Sequence, residues 1–240
     1  MSDLKNKIDF FLREKTKFSR KNYSPKPQEV SDLIPDSEYD LTILKNDITR
    51  LNCSENLYIL DILDKYFPIF PHEDLKILDI GSKNWFYARG EYIYFKNACH
   101  HLEMTGVELD AYRLCWNLYS RKEIAKYNIK YLPFTRYIAD NFLNINGCFD
   151  YITWFLPFVG EFQHKQWGLP MKYFNPAQML AHAKECLNDG GSMFIVNQGE
   201  SEYWLQKQLC KDLGLQYQEI GLIRSDFYQY KYPRYALIVH

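Results

Sequence analysis

Lys76-Ile77-Leu78-Asp79-Ile80-Gly81-Ser82 is a short apolar run that ends in an acid and then turns on a glycine. A strand that delivers a carboxylate and a glycine to one rim of a parallel sheet is how many α/β proteins begin a site for an adenosyl or nucleotide ligand. The loop that follows departs from the usual glycine-rich pattern. Lys83 and Trp85 occupy the alternate positions where further glycines are expected, and Phe86 and Tyr87 come next.

Downstream of this stretch, strand and helix patterns alternate. Strand-like runs fall at Lys76–Ile80, Glu103–Leu109, Thr135–Ala139, Phe149–Phe155 and Ser192–Asn197. Between them are apolar stripes at helical spacing: Ala111, Leu114, Cys115 and Leu118; then Leu180, Ala183 and Leu187, opened by Asn175-Pro176 and closed by Gly190-Gly191; then Leu205, Leu209 and Leu213, from Ser201 to Gly214. Strands separated by helices imply a doubly wound parallel sheet with right-handed crossovers. The two last runs, Gln216–Arg224 and Arg234–His240, are joined by about ten residues, too few for a crossover helix, and are expected to form an antiparallel hairpin at the sheet edge. The fold class expected is therefore α/β, a mostly parallel seven-stranded sheet with a C-terminal antiparallel hairpin. It occupies residues 71–240 and is preceded by a helical N-terminal extension over residues 1–70.

In that extension Leu4, Ile8, Phe11 and Leu12 are spaced for one inward helix face over Asp3–Lys17. Asn22–Pro27 reads as a linker. A second helix is expected to start at Ser54 as N-cap, to turn Leu57, Leu60 and Leu63 inward, and to stop at Pro68.

The chain has 240 residues, 47% of them hydrophobic and 25% charged, a balance that supports a real core. Its net charge of −1 argues against nucleic-acid binding by bulk electrostatics. Residues 1–26 nevertheless hold eight cations (Lys5, Lys7, Arg13, Lys15, Lys17, Arg20, Lys21 and Lys26) against three acids. They form either a solvated face and arm or a contact for an anionic partner. The six cysteines are scattered with no Cys-x-x-Cys pair, as expected of reduced thiols in a cytoplasmic protein without a metal site. The start Met-Ser-Asp-Leu-Lys lacks the apolar core of a secretory signal, and no segment approaches a membrane span. No phosphate-binding Gly-x-x-x-x-Gly-Lys loop, nucleophile elbow or His-Glu-x-x-His motif occurs.

Three acids are expected on one rim of the sheet. Asp79 ends the first strand, Glu108 the second and Asp140 the third, whereas Asp150 begins the fourth and should be structural at the opposite edge. A carboxylate at the second strand's end matches the vicinal hydroxyls of a ribose, and the side chain at the third can accept from an adenine amino group. Each acid read alone is equally a cap for the following helix.

This ordered set resembles a class I S-adenosylmethionine-dependent methyltransferase over residues 74–240, about two thirds of the chain. Ile77–Gly81 resembles the family's first motif, Gly106-Val107-Glu108-Leu109-Asp110 the second, Ile138-Ala139-Asp140-Asn141 the third and Phe149–Trp154 the fourth. Cys186–Ser192 is similar to the family's entry into the fifth strand. The resemblance implies S-adenosylmethionine as cofactor, with Asp79, Gly81 and Ser82 facing its methionine part, Glu108 its ribose, and Asp140 and Asn141 its adenine. Trp154 and Phe155 would line the pocket beside the transferred methyl, where an aromatic face favours the sulfonium by roughly 0.5–2 kcal/mol. In the altered loop, Lys83 could pair with the cofactor carboxylate while Trp85 packs behind. Alternatively, the bulky side chains fill the pocket and leave a catalytically inactive methyltransferase fold kept for binding or scaffolding.

The acceptor is open among small molecules, proteins and RNA. DNA bases are disfavoured, because Trp154-Phe155-Leu156-Pro157-Phe158 lacks the Asn/Asp-Pro-Pro-Tyr/Phe signature of enzymes that methylate planar nitrogens. Glu161 and His164, in the long segment after the fourth strand, are the candidate general bases. Methyl transfer is an in-line displacement that alignment and desolvation can drive without a base.

Overall fold

The computed structural model describes residues 2–20 and 22–240; Met1 and Lys21, part of the N-terminal readings above, lie outside the described residues. Seven strands form one sheet in the order β3-β2-β1-β4-β5-β7-β6. Their ranges are β1 His72–Ile80, β2 Cys99–Glu108, β3 Thr135–Ala139, β4 Phe149–Phe155, β5 Leu187–Gln198, β6 Tyr217–Ile223 and β7 Arg234–Val239. Strands β1 to β5 run parallel, and β7 is antiparallel to both β5 and β6. This is the doubly wound sheet with a terminal hairpin. The direction of winding reverses between β1 and β4, which opens a crevice beyond their carboxyl ends.

Seven α-helices accompany the sheet among the described residues: α1 Asp3–Thr16, α2 Arg50–Tyr66, α3 Ala88–Asn97, α4 Arg121–Asn128, α5 Glu161–Gln166, α6 Pro176–Glu185 and α7 Gly199–Asp212. None is long and apolar enough to cross a membrane. One face of the sheet and α2, α3 and residues 30–48 share a single hydrophobic core that includes Leu44, Leu63, Phe67, Ile77 and Phe194. The other face packs Leu78, Ile80, Ile152 and Ile195 against α6 and α7 through Leu180, Ala183, Tyr203 and Cys210. Asp150 is structural, as expected. It accepts from the Lys76 amide at 2.8 Å and from Asn188 Nδ2 at 2.6 Å, tying the amino ends of β1, β4 and β5.

Several helix expectations are corrected. The stripe Ala111–Leu118 is not helical. Those residues form turns closed by a bridge between Leu114 and Ser120, and the helix starts only at Arg121, where Ser120 and Glu123 make a reciprocal capping box. A capping signal thus outweighed the apolar spacing. Helix α2 is capped by Thr49 rather than Ser54 and so begins five residues earlier than expected. Helix α6 ends at Glu185, and Leu187 already belongs to β5. Gly190-Gly191 is the irregularity within that strand rather than a helix stop, and a Cβ on Gly191 would come 2.7 Å from the Asp150 carbonyl.

Two helices turn a different face inward. On α7, Tyr203, Gln206 and Cys210 are buried while Leu205 and Leu213 are exposed. On α1 the stripe Leu4, Ile8, Phe11 and Leu12 faces solvent, with Phe11 62% exposed. The buried residues of α1 are Asn6 and Phe10. Polar tethers decide that orientation. Asn6 Nδ2 donates to the Lys165 and Leu169 carbonyls, and Arg13 makes a two-pronged pair with Asp110 at 2.9 and 3.2 Å. Phe10 meanwhile packs on Tyr173, 5.1 Å between ring centres. The extension is therefore fastened across the rim of the sheet, over the segment that follows β4.

Candidate functional site

The turn after β1 keeps the left-handed backbone of a glycine-rich loop with only its first glycine. Gly81 has φ +73°, and Lys83 and Trp85 take φ of +56° and +40°. The left-handed region costs a non-glycine residue about 1–3 kcal/mol, so something must hold these two. Trp85 is held by burial. Its side chain is fully enclosed behind the loop, and Nε1 donates to Glu91 Oε2 at 2.7 Å. Room for the indole comes from Gly106 on β2, where a Cβ would lie 2.7 Å from ring atoms Cε3 and Cζ3. Lys83 is held at its main chain. Its amide donates to Glu108 Oε2 at 2.9 Å, and Tyr137 donates to its carbonyl at 2.5 Å.

Beneath the loop lies a buried acid pair. Asp79 accepts from the Tyr87 hydroxyl at 2.9 Å, and the Thr153 hydroxyl sits 3.3 Å from Asp79 Oδ1 and 2.7 Å from Glu91 Oε1. A hydroxyl has one proton, so it bonds one of the two acids at a time, and the shorter distance favours Glu91. Burial pushes the Glu91 carboxyl up to about 7. It raises Asp79 well above the carboxylate range, with the charge of Glu91 adding to the effect. Asp79 and Ser82, expected to face a ligand, are 1% and 0% exposed and do not line the cavity; Asp79 is bonded beneath the loop, whereas the Ser82 hydroxyl has no hydrogen-bond partner.

A cavity of about 980 Å³ opens above the carboxyl ends of β1, β2, β4 and β5. Of the residues singled out in the sequence, Gly81, Lys83, Glu108, Asp140, Asn141, Trp154 and Phe155 line it. Glu108 is heavily engaged: Oε1 accepts from the Asp110 amide at 2.8 Å and from Arg121 Nη1 at 3.2 Å, leaving only Oε2, with its single donor, a lone pair to offer. Asp140 is exposed, and its Oδ1 accepts from the Asn141 amide at 2.6 Å and Asn144 Nδ2 at 2.8 Å. Asn141 caps the next turn through Oδ1, which leaves its amide nitrogen free.

Cations gather at this end of the cavity. Asp110, fully buried, pairs with Arg13 and with Arg113 at 2.5 Å, while Arg121 lies 3.9 Å away. Trp167 roofs the cluster, its ring centre 5.1 Å from both Lys83 Nζ and the Arg121 guanidinium carbon. Burial and then the neighbouring Arg121 charge lower the Lys83 ammonium pKa. Lys83 makes no ion pair among the described residues.

The two candidate bases part company. Glu161 points to solvent and pairs with Lys165 at 2.7 Å. His164 is 2% exposed and borders the cavity. Its Nε2 is 3.0 Å from the Pro170 carbonyl, an acceptor, so Nε2 carries the proton and Nδ1 is the basic nitrogen. Burial lowers its pKa.

Sequence reasoning missed the opposite end of the cavity, formed by Glu55 on α2, Tyr230 in the β6–β7 connection and Arg234 on β7. Tyr230 donates to Glu55 Oε1 at 3.3 Å, and burial raises the Glu55 carboxyl. The one signal in the chain was the crowding of tyrosines in Tyr228-Gln229-Tyr230-Lys231-Tyr232 between the two hairpin strands.

No protein-family model and no curated protein matches the sequence. Solved structures do resemble the fold. A SAM dependent methyltransferase from Aquifex aeolicus superposes with a TM-score of 0.54 at 13% identity, over 84% of this chain and 98% of that one. Magnesium protoporphyrin IX methyltransferase from Synechocystis PCC 6803 with bound SAM gives 0.49 at 12% identity, over 100% and 97% of the two chains. Aeropyrum pernix fibrillarin with natively bound S-adenosyl-L-methionine gives 0.49 at 14%, over 78% and 76%. At these identities the likeness concerns the fold, which is that of the class I methyltransferases.

Proposed function

We propose that this chain, a class I methyltransferase by fold, binds S-adenosylmethionine and transfers its methyl group to an acceptor seated in the same cavity. The observation that carries the reading is the loop Gly81–Trp85. It adopts three left-handed residues, two of them without glycine, and so keeps the cavity rim open beside Glu108. A loop that had merely lost its function would have no reason to keep that strain.

The residues present fit the cofactor. Glu108 Oε2 and the exposed carboxylate of Asp140 offer acceptors for ribose and adenine. The unpaired Lys83 ammonium suits the cofactor's carboxylate, and Trp154, Phe155 and Tyr87 supply aromatic faces for a cationic sulfonium. Bound there, the cofactor supplies an electrophilic methyl group. The chain's own part is to exclude water, to align the acceptor, and to take the acceptor's proton. Glu55 suits the last task, because its half-buried carboxyl is held by a single hydroxyl donor. Glu55 would take up the proton that the acceptor's oxygen or nitrogen gives up on receiving the methyl group.

A crystal structure with S-adenosylhomocysteine tests the assignment. The reading expects a ribose hydroxyl within hydrogen-bond distance of Glu108 and the adenine edge beside Asp140 and Asn141. An adenosyl group bound anywhere else would overturn it.

A further inference from the structure

The far end of the cavity contains polar groups whose hydrogen bonds are incomplete. Arg234, at the start of β7, is 8% exposed, and its guanidinium carbon stands 4.5 Å from the centre of the Tyr230 ring. Nη1 donates to Gln198 Oε1 at 3.1 Å and to the Tyr232 carbonyl at 3.4 Å. No carboxylate comes within ion-pair distance among the described residues. Glu202, which also lines the cavity and whose charge acts on Arg234 through space, instead accepts from the Gln198 amide at 3.1 Å, at the N-terminus of α7. Gln206, one turn further along α7, is 1% exposed and lines the cavity, yet neither Oε1 nor Nε2 has an oxygen or nitrogen partner, and only the weakly bonding Cys210 thiol lies beside it. A buried cation with no carboxylate in contact and a buried amide with no strong partner are both costly unless a ligand completes them.

The surroundings say what kind of ligand. Tyr58 meets Tyr230 edge to face, with ring centres 5.0 Å apart, and Tyr87 meets Phe155 likewise at 5.2 Å, so aromatic surfaces wall the space. Arg234 lies over the Tyr230 ring, and Glu55 meets the hydroxyl of the same tyrosine. Little more than one aromatic ring therefore separates the cation from the carboxylate. At about 980 Å³ the cavity is at the upper end of single small-ligand sites, with room for a cofactor and a second small molecule.

We propose that the methyl acceptor is a small aromatic carboxylate, held through its anionic group by Arg234 and Gln206, with its nucleophilic oxygen or nitrogen presented to Glu55. This assignment of acceptor class rests on the methyltransferase reading above. The recognition site itself is a property of Arg234 and Gln206 and can be tested apart from it.

The test uses the full chain and two probes matched in shape, 4-hydroxybenzoate and its neutral analogue 4-hydroxybenzamide, titrated calorimetrically with and without S-adenosylhomocysteine. The acid should bind at least tenfold more tightly than the amide. Arg234→Met should abolish that preference and leave the affinity for S-adenosylhomocysteine unchanged, and Arg234→Lys should restore part of it. Equal affinity for the two probes, binding of neither, or a preference that survives Arg234→Met would overturn the proposal. The wild-type comparison decides the matter even where a variant fails to fold. A preference for the acid in protein that binds no S-adenosylhomocysteine would preserve the anion site and count against the cofactor reading instead.

Discussion

Replacing Glu91 by glutamine should reveal a pH-dependent stability built into the loop. Burial pushes the Glu91 carboxyl up to about 7, against an ordinary value of 4.5. Between those values the folded chain binds more of this proton than the unfolded chain does, so stability must fall as pH rises. The full loss is about 3 kcal/mol, and most of it falls between pH 5 and pH 8. Glutamine keeps the shape, and its amide oxygen can still accept from Trp85 Nε1, but it does not titrate. The assay is urea unfolding of wild type and Glu91→Gln at both pH values. Taking the difference between the two proteins cancels the groups that do not feel Glu91; Asp79, which the Glu91 charge raises, moves down in the variant and adds to the difference in the same direction. The variant should gain about 2–3 kcal/mol on the wild type from pH 5 to pH 8, or roughly 1 M in midpoint at a slope near 2 kcal/mol/M. A difference that stays flat within about 0.5 kcal/mol would show that Glu91 is not buried beside Asp79, and the supported loop would go with it.

Three further outcomes follow from the same geometry. Glu108→Ala should weaken S-adenosylhomocysteine binding by about 10- to 150-fold, the equivalent of one lost charge-assisted hydrogen bond, measured by calorimetry on folded protein. Gly90→Ala should destabilise by about 3 kcal/mol, the upper part of the usual overpacking range, because the new Cβ would lie 2.2 Å from the Asn56 carbonyl oxygen where α2 crosses α3. Thermal melts would register this as an early transition. On α1, Phe10→Ala should cost about 3 kcal/mol, whereas the neighbouring Phe11→Ala should stay within about 0.5 kcal/mol; equal costs would contradict the inverted face.

The sheet was legible because its strands are apolar runs bounded by acids and turn residues, and strand identity depends mostly on local sequence. The three rim carboxylates followed from those boundaries. Faces of helices were less legible. On α1 the better apolar stripe lost to Asn6, Arg13 and Phe10, whose partners at Lys165, Leu169, Asp110 and Tyr173 are far along the chain. The same reason hid the recognition end of the cavity. Glu55, Tyr230 and Arg234 come from α2, a hairpin connection and an edge strand, and no spacing in the chain announces that they meet. The role of Asp79 was obscured for a different reason. Its position in the motif was clear, but Tyr87 and Thr153 close it off from the cavity.

Methyl transfer by this fold requires that the altered loop still make a cofactor site. Calorimetric titration of purified, ligand-free protein with S-adenosylmethionine and S-adenosylhomocysteine measures that. Binding of both in the micromolar range, weakened by Glu108→Ala, is the result expected. Absence of heat from either ligand, with protein shown by circular dichroism to be folded, would contradict the claim.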